Sequence, residues 1–233
     1  MKDPSGGAET KGRRRSRRGV VDPSHPSAEP FRSLRLALEL RDGERQSNIV
    51  VFTSANPGEG KSTLAANYAV VAAINHPSVL LIDADLRSPS LHDIFQAPRA
   101  PGLVDVVLGE AAPSASHRAS GLGNLDVLTA GSRVLSGGDV MSSKRMRDFV
   151  ESAAVNYDLV IMDTPPILSA ADAATIATGV HADIVLVIDK SSRRRAVARA
   201  LRELELVHAS VLGIAMNREG SIARYGYGYA YGA

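Results

Sequence analysis

The sequence predicts an α/β fold, with a largely parallel central sheet and helices on both faces. Three observations predict it. Short, nearly continuous Val/Ile/Leu runs at 48–54, 79–83, 125–129, 158–163, 184–189 and 210–216 read as strands buried on both sides, which is the pattern of a parallel sheet. Segments with helical spacing alternate with them, at 61–75, 143–155, 170–179 and 194–208. Between the first strand and the helix after it lies Ala55-Asn56-Pro57-Gly58-Glu59-Gly60-Lys61-Ser62-Thr63, a glycine-containing loop in the strand-to-helix position.

The chain's 233 residues, 44% of them hydrophobic, suit one such domain with a tail at each end. There is no cysteine, which excludes disulfides and thiolate metal sites and makes the cytosol the natural compartment. No apolar run approaches the ~18 residues that span a bilayer, and no signal-peptide core is visible, so a membrane connection is expected through a partner or surface charge. The net charge of +2 conceals an asymmetry: residues 1–20 hold seven Lys/Arg against Asp3 and Glu9, leaving the rest at −3 (2 minus 5). The body is therefore mildly acidic, and no specific nucleic-acid partner is expected.

Residues 1–27, rich in Gly, Ser, Pro and Arg, are expected to form a disordered basic arm. It reads as a solvated segment, or alternatively as a contact for anionic lipid headgroups at a membrane surface or for nucleic acid. The main domain is expected over 28–219. It opens with a helix at 30–41: Pro30 suits the first position, Phe31, Leu34 and Leu38 form an apolar stripe, and Asp42-Gly43 stops it. Glu29, Arg32 and Arg35 are three apart, a spacing explained equally by local ion pairs and by an interface. The stretch 87–123 is less regular, with short helices at Leu91 to Phe95 and Leu103 to Leu108 and a loop from Ala112 to Gly121. Residues 220–233 form a predicted flexible tail, in which Tyr225, Tyr227, Tyr229 and Tyr231 alternate with Gly or Ala.

The chemistry is concentrated at the carboxyl ends of the strands, where open parallel sheets bind ligands. In the loop, Gly58 and Gly60 allow a concave turn with backbone N–H groups facing inward at a helix N-terminus. Lys61 is placed to meet the β and γ phosphates of a nucleoside triphosphate, and the Ser62 hydroxyl to ligate Mg²⁺. Two apolar strands end in acid: Leu80-Leu81-Ile82-Asp83-Ala84-Asp85, with Asp83 and Asp85 on one side if the strand extends through both, and Leu159-Val160-Ile161-Met162-Asp163. Such acids either hold a Mg²⁺ shell or cap the helices that follow. The six histidines show no ligand spacing.

The loop, the segment Leu81-Ile82-Asp83-Ala84-Asp85-Leu86-Arg87-Ser88-Pro89 and the segment Val160-Ile161-Met162-Asp163-Thr164-Pro165-Pro166 resemble the Walker A, A′ and B motifs of bacterial tyrosine kinases of capsule and exopolysaccharide synthesis, P-loop NTPases of the deviant Walker type. Glu29-x-x-Arg32-x-x-Arg35 is similar to that family's oligomerisation motif, and Met141 to Met146 to its segment before the third motif. The tyrosine-rich end resembles its phosphorylation target. The resemblance spans about residues 28–231. It implies an autokinase using ATP and Mg²⁺, in ring-type homo-oligomers where one subunit's tail enters its neighbour's site. It also implies activation by the cytoplasmic segment of a membrane-embedded polysaccharide co-polymerase, and hence a cytoplasmic protein peripheral to the inner face of the cell membrane.

By the same resemblance Pro57, Gly58, Glu59, Gly60, Lys61, Ser62 and Thr63 cradle the nucleotide, Thr63 touches the α phosphate and Asn217 reads the adenine. Ser62, Asp83 and Asp163 serve the metal, Asp85 its water shell, and Asp83 is the base for the tyrosine hydroxyl. The chain departs from the family at Gly131 to Gly138, where a proline-rich approach is usual, and at Lys190 to Arg195, a strongly basic stretch where threonine is usual. The rival reading is a partition- or division-site ATPase, a nucleotide-driven dimer switch, supported by the loop and the basic arm but not by the tyrosine tail.

Overall fold

The computed structural model describes residues 19–39, 47–119 and 122–218. The tail tyrosines and the arginines of the basic arm lie outside the described residues.

Seven strands form one sheet: β1 (Ile49–Ser54), β2 (Val79–Asp83), β3 (His117–Arg118), β4 (Leu125–Leu128), β5 (Leu159–Asp163), β6 (Asp183–Asp189) and β7 (Ser210–Asn217), in the order β3-β4-β2-β5-β1-β6-β7. All neighbours are parallel except the two-residue β3, which pairs antiparallel with β4 at the sheet edge. β1, β2 and β5 are buried at every position, as expected for strands covered on both faces.

Alternate side chains divide between two cores. Val50, Phe52, Leu81, Ile161 and Val185 face one side, where α1 (Glu29–Glu39), α2 (Lys61–Ala72) and α3 (Leu91–Phe95) pack. Val51, Ile82, Val160, Met162 and Ile184 face the other, against α4 (Leu103–Leu108), α5 (Gly137–Ser142), α6 (Lys144–Asn156), α7 (Asp172–Gly179) and α8 (Arg194–Leu206). α2 is apolar nearly all round because the sheet, α1 and α3 enclose it; its Tyr68 is fully buried and packs on Phe52 with ring centroids 5.3 Å apart.

Several expectations are corrected. The segment 19–27, expected within the disordered arm, is held by Asn67 of α2. Its Nδ2 donates to Gly19 O at 2.9 Å, and its Oδ1 accepts from Val21 N at 2.7 Å. α1 begins at Glu29, one residue before the expected start. The expected loop at 112–121 contains a 3₁₀ turn, Pro113–Ala115, and β3, both too short to leave a periodic signal. α5 opens on a pair of glycines, Gly137 and Gly138, that disfavour it. Burial of Val140 and Met141 and the Ser136 cap outweigh that propensity. β2 stops at Asp83, so Asp85 belongs to the turn beyond the strand.

Candidate active site

The glycine loop runs from the end of β1 into α2 and borders a cleft of about 430 Å³ that Lys61, Ser62, Thr63, Asp85, Pro165 and Arg218 also line. Gly58 and Gly60 have φ of 86° and 84°, a region that other residues adopt only with strain. At Gly60 space is equally limiting, since a Cβ there would stand 2.1 Å from Asn217 Nδ2. Gly60 is also the N-cap of α2 and offers no side-chain acceptor, so the first amides of the helix carry the positive helix end without a side-chain cap. That is the arrangement a phosphate chain requires.

The loop is braced from behind. Glu59, only 3% exposed, accepts from Asn56 N at 2.9 Å and from the Ser192 hydroxyl at 2.6 Å, so its side chain points away from the ligand position. Asn217 donates from Nδ2 to Glu59 O at 3.0 Å and accepts Arg218 N on Oδ1. Its amide therefore braces the loop and its own turn. Arg218 donates to Gly58 O at 2.9 Å and stands 3.6 Å from Asp189.

On the other wall, β2 and β5 bring Asp83 and Asp163 to the same register, side by side at the strand ends. The segment after β5 is stitched to β1: Thr164 N and Oγ1 both donate to Phe52 O, and the Thr53 hydroxyl donates to Pro165 O. Lys61 Nζ lies 2.7 Å from Asp85 Oδ2, 3.4 Å from Asp163 Oδ1 and 3.1 Å from Ser62 Oγ. Four of the expected residues thus converge: Lys61, Ser62, Asp85 and Asp163. Asp85 contacts the lysine directly, where a place in a metal water shell was expected. Asp83 divides its carboxylate. Oδ2 accepts from Ser90 N at 3.0 Å and Leu91 N at 2.9 Å, capping α3, whereas Oδ1 is buried with no hydrogen-bond partner among the described residues. The capping alternative read from the sequence is thus met by one oxygen of Asp83, and the other oxygen is left over from it.

Burial sets the charge state of these groups. It raises Asp83 to about 7, aided by the Asp163 charge and resisted by the Leu91 and Ser90 amides. It raises Asp163 to about 6, resisted by Lys61. Burial acts to lower Lys61, but the fields of Asp163, Asp85 and Asp83 outweigh it and hold the ammonium above its ordinary value.

The donor set fits Mg²⁺. Asp163 Oδ2, like Asp83 Oδ1, is a buried acceptor without a hydrogen-bond partner among the described residues, and the Ser62 hydroxyl bonds to the same Asp163 carboxylate. No cluster of three His, Cys, Asp or Glu side chains suited to a metal occurs among the described residues. Mg²⁺ needs none, because it is held by one or two carboxylates together with phosphates and water.

The interface candidates are occupied locally. Arg32 pairs with Glu29 at 2.7 Å and donates to Pro23 O, and Arg35 pairs with Glu39. Sequence reading missed Ser192, noticed only as part of a basic stretch, and Arg218, although it directly follows Asn217 at a strand end where ligand contacts are expected. Among the described residues no helix is long and apolar enough to cross a membrane.

Comparison with known proteins agrees with this geometry. Residues 45–225 match the ParA family model, described as NUBPL iron-transfer P-loop NTPase. Tyrosine-protein kinase YwqD of Bacillus subtilis is 37% identical over 90% of this chain and 89% of its own length. Tyrosine-protein kinase etk of Escherichia coli K12 is 32% identical over 91% of this chain, which spans only 29% of that longer protein. The solved kinase domain of Escherichia coli tyrosine kinase ETK superposes with a TM-score of 0.77 at 30% identity, covering 90% of this chain and 84% of that one. With its glycine loop, paired strand-end aspartates and six parallel strands, the chain belongs to the bacterial tyrosine-protein kinases, a branch of the ParA-type P-loop NTPases.

Proposed function

We propose that this chain is an ATP- and Mg²⁺-dependent autokinase that phosphorylates Tyr225, Tyr227, Tyr229 and Tyr231 on neighbouring subunits. The observation that carries the reading is the placement of three carboxylates around one lysine at the head of β2 and β5. The metal requires one or two of them, which leaves another to receive a proton from an incoming hydroxyl.

In this mechanism the phosphate chain lies on the loop amides and the start of α2, and Lys61 exchanges Asp85 for the β and γ phosphates. Ser62 and Asp163 hold Mg²⁺, which when bound neutralises charge developing on the phosphates. A tail phenol attacks the γ phosphorus, its proton passes to Asp83 Oδ1, and the bond to the β-phosphate oxygen breaks to release ADP. Asp83 must be ionised for this, so the rate rises with pH. Because Asp85 balances Lys61 while no phosphate is bound, it is a positioning residue. Asn217, Glu59 and Ser192 act through the loop and touch no reacting atom.

The same reading gives the chain a role in regulating capsular or exopolysaccharide synthesis and export. It also assigns a ring-type homo-oligomer using Glu29, Arg32 and Arg35, an activating segment on a membrane-embedded co-polymerase, and a place at the inner face of the membrane. The motif resemblance supports these assignments, and the relatives' names support the kinase activity. The basic arm is proposed to add contact with anionic lipid.

A second reading is favoured by the ParA family model: an ATPase of the partition or division-site type that hydrolyses ATP to switch between dimer and monomer. Incubation with Mg²⁺ and γ-labelled ATP separates the two. Label retained on the C-terminal peptide supports the kinase, and quantitative release as free phosphate with an unlabelled tail supports the ATPase.

A further inference from the structure

We propose that the basic stretch from Lys190 into the first turn of α8 is a docking site for the phosphorylated form of the chain's own tail. The inference rests on the kinase reading above for the source of the phosphates. Lys190, Arg193, Arg194 and Arg195 are all exposed, and none has an acidic partner among the described residues. The acids nearest in the structure are already committed. Asp189 accepts from Ser191 N at 2.8 Å and from the Ser191 hydroxyl, and stands 3.6 Å from Arg218; buried Glu59 takes the Ser192 hydroxyl. Four exposed cations thus fall within six consecutive residues, with no acidic side chain paired to them among the described residues.

The occupant follows from where the chain leaves the described region. Asn217 is paired with Asp189 in the β6–β7 register and Arg218 stands 3.6 Å from Asp189, so the described chain ends beside this stretch. Tyr225 lies seven residues beyond Arg218, a reach of up to about 25 Å at ~3.6 Å per residue. Arg193 is four residues from Asp189, well inside that radius. Residues 219–233 carry Glu219 and Arg224 as their only charged side chains, so the unmodified tail has no electrostatic reason to bind. Each phosphotyrosine adds about −1.5 to −2 charges and three acceptor oxygens, for which arginine is the favoured partner. A short tether also gives the tail an effective concentration in the millimolar range at this stretch. Docking in cis would withdraw a phosphorylated tail from the neighbouring site and so limit repeated entry of spent product.

The test uses a fluorescent synthetic peptide of residues 219–233 with all four tyrosines phosphorylated, and its unphosphorylated counterpart. Each is titrated by polarisation with the full chain whose four tail tyrosines are Phe, with ADP present to fill the cleft. The phosphopeptide is expected to bind, salt-sensitively, and at least about tenfold more tightly than the plain peptide. Arg193→Glu, Arg194→Glu and Arg195→Glu together should weaken it by about tenfold or more, with the milder Gln triple variant intermediate. Equal binding of the two peptides overturns the proposal, as does unchanged binding by both triple variants. So does retention of phosphatidylserine vesicles by these arginines without phosphopeptide binding. Because the phosphates are synthetic, a chain that binds the phosphopeptide but never labels its own tail supports the site and rejects the kinase reading alone.

Discussion

Two groups of charge stand at the carboxyl ends of the same parallel sheet and behave differently. At the head of β2 and β5, in the sheet interior, Asp83 and Asp163 are fully buried and Lys61 nearly so. At the head of β6 and β7, near the edge, Lys190 and Arg193 to Arg195 face solvent. Burial makes the first group interdependent: desolvation lifts Asp83 and Asp163 far above ordinary carboxylates, and each charge there is fixed by its neighbours. Exposure leaves the second group screened by water and salt, so that each charge acts weakly beyond about 10 Å and nearly additively. The interior is therefore suited to chemistry on a bound phosphate, and the edge to attraction of a charged chain.

Breaking the interior group should have the largest effect. Lys61→Met is expected to reduce tail labelling by about a hundred- to thousandfold, the scale of losing one preorganised charge contact, while far-UV circular dichroism stays unchanged. Next comes pH. Since Asp83 is raised to about 7, the labelling rate should rise up to about pH 7 and fall about tenfold per unit below the pKa that Asp83 retains with nucleotide bound. The sign for stability is opposite. The folded state keeps the Asp83 proton up to about 7, whereas the unfolded chain loses it near ~4, so this group's contribution is largest below that window and is lost as pH rises through it. Asp83→Asn should therefore raise the Tm of the ligand-free protein at pH 8 while abolishing most labelling, measured by calorimetry alongside the kinase assay.

Two smaller changes sharpen the contrast by acting on the loop between the groups. Gly60→Ala combines a left-handed backbone with a clash on Asn217, and is expected to cost about 1–3 kcal/mol of stability and most nucleotide affinity. Ser192→Ala removes only one hydrogen bond to buried Glu59. It should cost about 1 kcal/mol and raise the KM for ATP a few-fold with kcat nearly unchanged, a split that marks bracing rather than chemistry.

How much of this was legible in the sequence depended on how local its cause is. The glycine loop could be read because its residues are contiguous and follow an apolar run. Asp83 and Asp163 were found because each ends such a run. Their divided roles were hidden: the Asp83 cap on Leu91 depends on how the chain returns after β2, and the Lys61–Asp85 pair depends on β2 stopping two residues short of Asp85. The braces were less legible still, since Glu59 and Ser192 are 133 residues apart and Arg218 and Gly58 are 160 apart, separations that no periodicity records. The same holds for residues 19–27, whose composition says disorder and which are held by the buried Asn67 amide, by Arg32 donating to Pro23 O and by Val20 packing on the core.

The central claim is that the interior group transfers phosphate to the tail. After incubation with Mg²⁺·ATP, mass spectrometry of the C-terminal peptide should find phosphate on Tyr225, Tyr227, Tyr229 and Tyr231, and none with Lys61→Met. The other two tyrosines are poor acceptors, Tyr68 being fully buried and Tyr157 donating its hydroxyl to Asp126 at 3.0 Å. An unmodified tail in a protein that consumes ATP, or phosphate confined to Tyr68 or Tyr157, would contradict the account.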